Sequence, residues 1–102
     1  MALIRQARQN LEKRILEGEG EASHWDRRAA FNNSGLHGAV RMFVDKVARH
    51  AYRVTDEDFT IAKRSGVSED QLFEVAVCAA IGQATRQYET ALEALAACRE
   101  RE

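Results

Sequence analysis

Proline is missing from all 102 residues, where ordinary composition would supply about 5%. With no ring to lock φ or remove an N–H, and with only six glycines, little in the chain stops a helix once begun. Net charge is nearly absent too. The 15 basic and 16 acidic side chains leave a formal charge of -1, so no outward field recruits nucleic acid or anionic lipid, and neither is expected as a partner. No apolar run approaches the ~18–20 residues of a membrane span, and no charged-then-apolar leader precedes a small-residue cleavage site. A cytoplasmic protein without membrane contact is the expectation.

Cysteine is sparse as well, with Cys78 and Cys98 the two present. Both fall on one predicted helix, where a ~1.5 Å rise per residue sets them roughly 30 Å apart, beyond the ~7 Å between Cα atoms that a disulfide spans. Two free thiols are expected. The three histidines, His24, His37 and His50, stand 13 residues apart, not at the short intervals by which one helix offers two ligands to zinc. Neither a metal nor a cofactor is expected.

What is present is helical periodicity. Leu3, Ile4, Ala7, Leu11, Ile15 and Leu16 recur at three- and four-residue steps with Arg5, Arg8, Lys13 and Arg14 between them, which predicts an amphipathic helix over residues 2–17. Gly18-Glu19-Gly20-Glu21 breaks that pattern and predicts a hinge or mobile arm. The stretch from Ala22 to Gly35 is the least legible. His24-Trp25-Asp26-Arg27-Arg28 mixes an aromatic with cations and is expected either to fold over a pocket or a neighbouring subunit or to form a mobile surface arm, and Asn32-Asn33-Ser34-Gly35 favours a turn. From Leu36 the stripe Leu36, Val40, Phe43, Val47 and Ala51 predicts a helix over residues 36–52.

Two capping boxes follow. Thr55 with Asp58 opens a short helix that carries Asp56 and Glu57 in its first turn and Lys63 and Arg64 in its last, and Gly66 ends it in a left-handed conformation. Ser68 with Gln71 opens a long final helix over about 69–99. That helix is apolar almost all round from Leu72 to Ile81 and narrows beyond Gly82 to Ala84, Tyr88, Ala91 and Leu95. Its first half requires cover on several sides, and in a chain this short a second copy is expected to supply part of it, giving a homo-oligomer. The fold class is all-α, as one domain over residues 1–102: an N-terminal helix and arm over 1–35 and a core over 36–99.

The run from Val54-Thr55-Asp56-Glu57-Asp58-Phe59 through Gly66-Val67-Ser68-Glu69-Asp70-Gln71-Leu72-Phe73-Glu74, with the small-residue stretch Ala76 to Ala84 behind it, resembles the core of the alkylhydroperoxidase D / carboxymuconolactone decarboxylase family. The resemblance spans roughly residues 36–97 and implies a helical-hairpin core followed by a long C-terminal helix. Redox members of that family carry C-x-x-C-x-x-x-H, its histidine eight residues before the glycine matched by Gly66. The three positions correspond to Ala51, Val54 and Asp58, so the dithiol centre is absent.

Three functions follow as expectations. The first is a non-redox oligomeric module that binds a small ligand or serves an accessory role. The second is a cofactor-free acid–base enzyme acting on a small acid or lactone, drawing on His37, His50, Tyr52, Asp56 and Asp58. The third is a thiol peroxidase through Cys78, against which stand its apolar neighbours Val75, Val77, Ala79 and Ile81, which raise a thiol's pKa. The candidate site residues are therefore His37, Tyr52, Asp58 and Cys78.

Overall fold

The structure, a computed structural model, describes residues 2–101, and among them every regular element is helical. Helix α1 spans Ala2–Glu17, α2 His24–Asn32, α3 Gly38–His50, α4 Asp56–Lys63 and α5 Glu69–Glu100, with a 3-10 turn at Ala51–Arg53 joining α3 to α4. The all-α expectation holds, and so does the long final helix.

Local chemistry sets the element boundaries. Both capping boxes form as the sequence predicts: the Thr55 hydroxyl accepts from the Asp58 N–H while the Asp58 carboxylate accepts from the Thr55 N–H, and Ser68 pairs with Gln71 in the same way. Each satisfies two amides that a helix start leaves without partners. Gly66, with φ +105°, takes the left-handed conformation that only glycine adopts without penalty. Gly38 explains why α3 begins later than the apolar stripe suggests, because its φ of +63° cannot continue a helix back to Leu36.

Helix α5 is the spine. Helices α2 and α3 make the most extensive contacts with it, and α1 runs antiparallel along another side: the Cys78 thiol, near the start of α5, donates to the Ile15 carbonyl near the end of α1, while Arg8 lies over the Tyr88 ring. The core gathers Leu16, Ala30, Phe43, Val44, Ala62, Leu72, Val75, Cys78 and Ala79. Removing a side chain such as Leu72 from water contributes about 1.5–3 kcal/mol.

The stretch after Gly18 is a fixed connector and not the mobile arm that two nearby glycines suggest. Arg27, on α2 and 4% exposed, donates to the carbonyl oxygens of Ile15, Gly18 and Ala22. These include carbonyls at the C-terminal end of α1, where a cation also meets the negative end of the helix dipole. From α5, the Glu74 carboxylate accepts the backbone N–H groups of Glu21 and Ala22. A cation on one helix and an anion on another thus hold both sides of the connector.

Residues 24–32, illegible by periodicity, form α2, capped by Ser23 at its start and by left-handed Asn33 (φ 50°) at its end. It crosses α5 at Gly82, where a Cβ atom would overlap the Phe31 carbonyl. Arg86 donates to that same carbonyl oxygen.

Candidate functional site

A concavity lies where the first turns of α2, α3 and α5 come together. It encloses about 430 Å³ and is lined by Ala22, Trp25, Leu36, Val40, Val67, Leu72 and Val75, with Asp26, His37 and Gln71 as its polar members. Its apolar wall is built by packing already described: Leu72 and Val75 on α5 are core residues, and Leu36 and Val40 flank them from α3 and the loop before it.

The polar members differ in what they have left to offer. Gln71 is committed, since its side chain completes the Ser68 capping box and reaches the Glu21 carbonyl. Asp26 and His37 are exposed and make no side-chain hydrogen bond or ion pair with the described residues; His37 sits at the α3 N-cap without capping it. Trp25 stands 75% exposed at the rim. A small molecule entering here would meet an apolar floor and find a carboxylate, an imidazole and an indole N–H uncommitted. The volume lies within the ~300–1,000 Å³ usual for small-molecule sites.

The candidates named from sequence are not assembled into one site. His37 lines this groove. Asp58 instead borders a smaller hollow with Ala39, Met42, Phe43, Lys46 and Ile61, where Lys46 Nζ donates to its Oδ2 at 2.7 Å. That hydrogen bond, and the Thr55 amide behind it, hold the Asp58 carboxyl below the usual carboxylate range; an acid so stabilised as its anion makes a poor proton donor. Tyr52, 77% exposed, stands beyond α3 with its ring nearly perpendicular to that of His50, also exposed, and neither borders the groove. Asp56 is exposed in the first turn of α4.

Cys78 lies in the core with its thiol on the Ile15 carbonyl. Burial pushes its pKa up to about 11, so almost none of it is thiolate at neutral pH, and nucleophilic thiol chemistry starts from the thiolate. Both cysteines are free. Among the described residues no cluster of three His, Cys, Asp or Glu side chains is placed to hold a metal ion. No described helix is long and apolar enough to cross a membrane.

Trp25 and Asp26 are the groove residues that periodicity could not position, because the motif containing them had no helix to sit on until α2 was placed. The signal was Ser23, a capping residue three positions before Asp26. Comparisons with protein-family models, with curated proteins and with solved structures find no match to this chain.

Proposed function

We propose that this chain is a non-redox member of the alkylhydroperoxidase D / carboxymuconolactone decarboxylase family that works in the cytoplasm by binding a small molecule in the groove between α2, α3 and α5. One observation carries the reading: an apolar concavity of about 430 Å³ has the uncommitted side chains of Trp25, Asp26 and His37 at its edge. An apolar floor with a few convergent polar groups is the usual make-up of a small-molecule site. The Asp26 carboxylate disfavours an anion opposite it, so the ligand class is a compact apolar body with a hydrogen-bond-donating or cationic end.

The chain has one tryptophan, and it stands at the groove, so its emission reports occupancy. Titration with a neutral, environment-sensitive naphthalene dye is expected to change Trp25 emission saturably, with Leu36→Gln weakening binding and leaving the far-UV circular dichroism unchanged. Equal binding by Leu36→Gln would remove the reading.

A second reading rests on Asp26 and His37 sharing one groove. A carboxylate and an imidazole are a pair suited to moving a proton without a cofactor, and of the small acid or lactone expected as substrate the neutral lactone is the one the Asp26 carboxylate does not repel. It requires that His37→Gln abolish turnover while dye binding stays intact; turnover unchanged in that variant eliminates it.

A further inference from the structure

Arg27 is a buried cation with no anion paired to it. The ion pairs among the described residues join Arg8 with Glu89, Lys46 with Asp58, Arg49 with Asp45 and Lys63 with Glu69, and none includes it. Two of its guanidinium nitrogens, Nε and Nη1, are spent on neutral carbonyl oxygens. The third, Nη2, makes no hydrogen bond with the described residues, and the one sealed, unpartnered side-chain atom among them is Arg8 Nη1, so Nη2 is reachable from outside. Arg27 borders a hollow of about 150 Å³ between α1, α2 and α5, and that is where Nη2 opens. A charge withdrawn from water is costly unless it is paired.

The rest of the hollow suits an anion with a short apolar body. Arg14, exposed on α1 and in no ion pair with the described residues, brings a second cation to the rim. Ile15, Phe73 and Val77 form an apolar wall. Two carboxylates border it as well. Those of Glu74 are already occupied, its two oxygens accepting the backbone N–H groups of Glu21 and Ala22, which offset its charge locally. Glu19 is exposed and makes no side-chain hydrogen bond with the described residues, so water takes its charge. The geometry points to a binding site for a small monocarboxylate, its carboxylate bridging Arg27 Nη2 and Arg14 and its hydrocarbon part lying against Phe73 and Val77. At ~30 Å³ for each water-sized group the hollow holds about five, which suits a carboxylate with a chain of two or three carbons. It shares no lining residue with the groove, so this is a second site and is tested apart from the first.

The test is a nuclear magnetic resonance titration of the full chain, at constant ionic strength, with sodium butyrate and with butyramide, its uncharged isostere. Butyrate is expected to shift the Arg27 guanidinium and the backbone amides of Phe73 and Val77 saturably, with a Kd of roughly millimolar order for so few atoms. Butyramide, which forgoes a bond between two charges, is expected to bind about ten-fold more weakly or worse. From formate through acetate and propionate to butyrate, affinity is expected to rise by up to about four-fold for each carbon added. Arg27 also holds the connector, so the variants are placed around it. Arg14→Gln and Phe73→Glu, both at exposed positions, are expected to weaken butyrate binding several-fold with the far-UV circular dichroism unchanged. Glu19→Gln is expected to tighten it, and Leu36→Gln, in the groove, to leave it as it is. Equal binding of butyramide, shifts that never saturate, or indifference to both Arg14→Gln and Phe73→Glu overturns the assignment.

Discussion

Arg27 Nη1 donates to the Gly18 carbonyl oxygen at 2.6 Å, so a guanidinium buried on one helix closes the loop that ends another. The same group also holds the Ile15 and Ala22 carbonyls. Hydrogen bonds to a charged donor contribute about 1.5–3 kcal/mol each, and a buried carbonyl left without a donor costs about 1–3 kcal/mol. Arg27→Met keeps the aliphatic stem and loses all three bonds. It is expected to lower the unfolding free energy by about 3 kcal/mol in urea denaturation, and to raise hydrogen exchange at residues 18–23 before the rest of the domain.

Gly82 makes the opposite case to the usual glycine in a helix. Alanine in place of glycine ordinarily stabilises a helix interior by about 1 kcal/mol. Here the added methyl would overlap the Phe31 carbonyl where α2 crosses α5, and overpacking costs about 1–3 kcal/mol. Gly82→Ala is expected to lower the thermal midpoint, and a midpoint that rises would show that α2 yields at the crossing.

The Asp58 carboxyl is held below its ordinary value of 3.8 by Lys46 and then by the Thr55 amide. In acid, the unfolded chain therefore binds a proton that the folded chain refuses. The stabilisation is complete above the unfolded value and is lost as pH falls through the folded one. Glu69 follows the same rule through Lys63. Thermal midpoints of Asp58→Asn with Glu69→Gln, measured from pH 6 downward, are expected to fall less steeply than those of the wild type; parallel curves would show that neither carboxylate is coupled to folding.

Cys78 works in the other direction. Its thiol is raised to about 11 in the fold, against about 8.5–9 for a free cysteine. Between those values the unfolded chain releases a proton that the folded chain keeps, so stability declines as pH rises through that window. Native protein is expected to expose one fast-reacting thiol to an aromatic disulfide reagent at pH 8, Cys98, and a second only on unfolding. Peroxide turnover, if any is found, is expected to be unchanged in Cys78→Ser.

The parts of the fold legible in the sequence are those written in local chemistry. Thr55, Gly66 and Ser68 announce α4 and α5 because caps and left-handed turns depend on neighbours within four residues. Helix α1 follows from an apolar period that needs no partner to be seen. Helix α2 escapes notice because Ala29, Ala30 and Phe31 carry too short a period, and its buried cation reads as solvated until the carbonyls it serves are in place. The groove is harder still. His37 is its single member among the four candidates, and Trp25 and Asp26 join it through the α2–α5 crossing at Gly82, a contact between residues about fifty apart that no periodicity encodes.

The last eight residues of α5, 93–100, are all exposed. A free peptide of that size falls well short of the ~12–15 residues at which helices become even marginal in water, so this end inherits its order from the turns before it. Trimming it from the C-terminus should shorten the rod one turn at a time and spare the bundle, while stripping away Leu95 and the terminal arginines. The tail thus uncouples two properties that most cores bind together: a helix can lose length here while the domain it belongs to still folds.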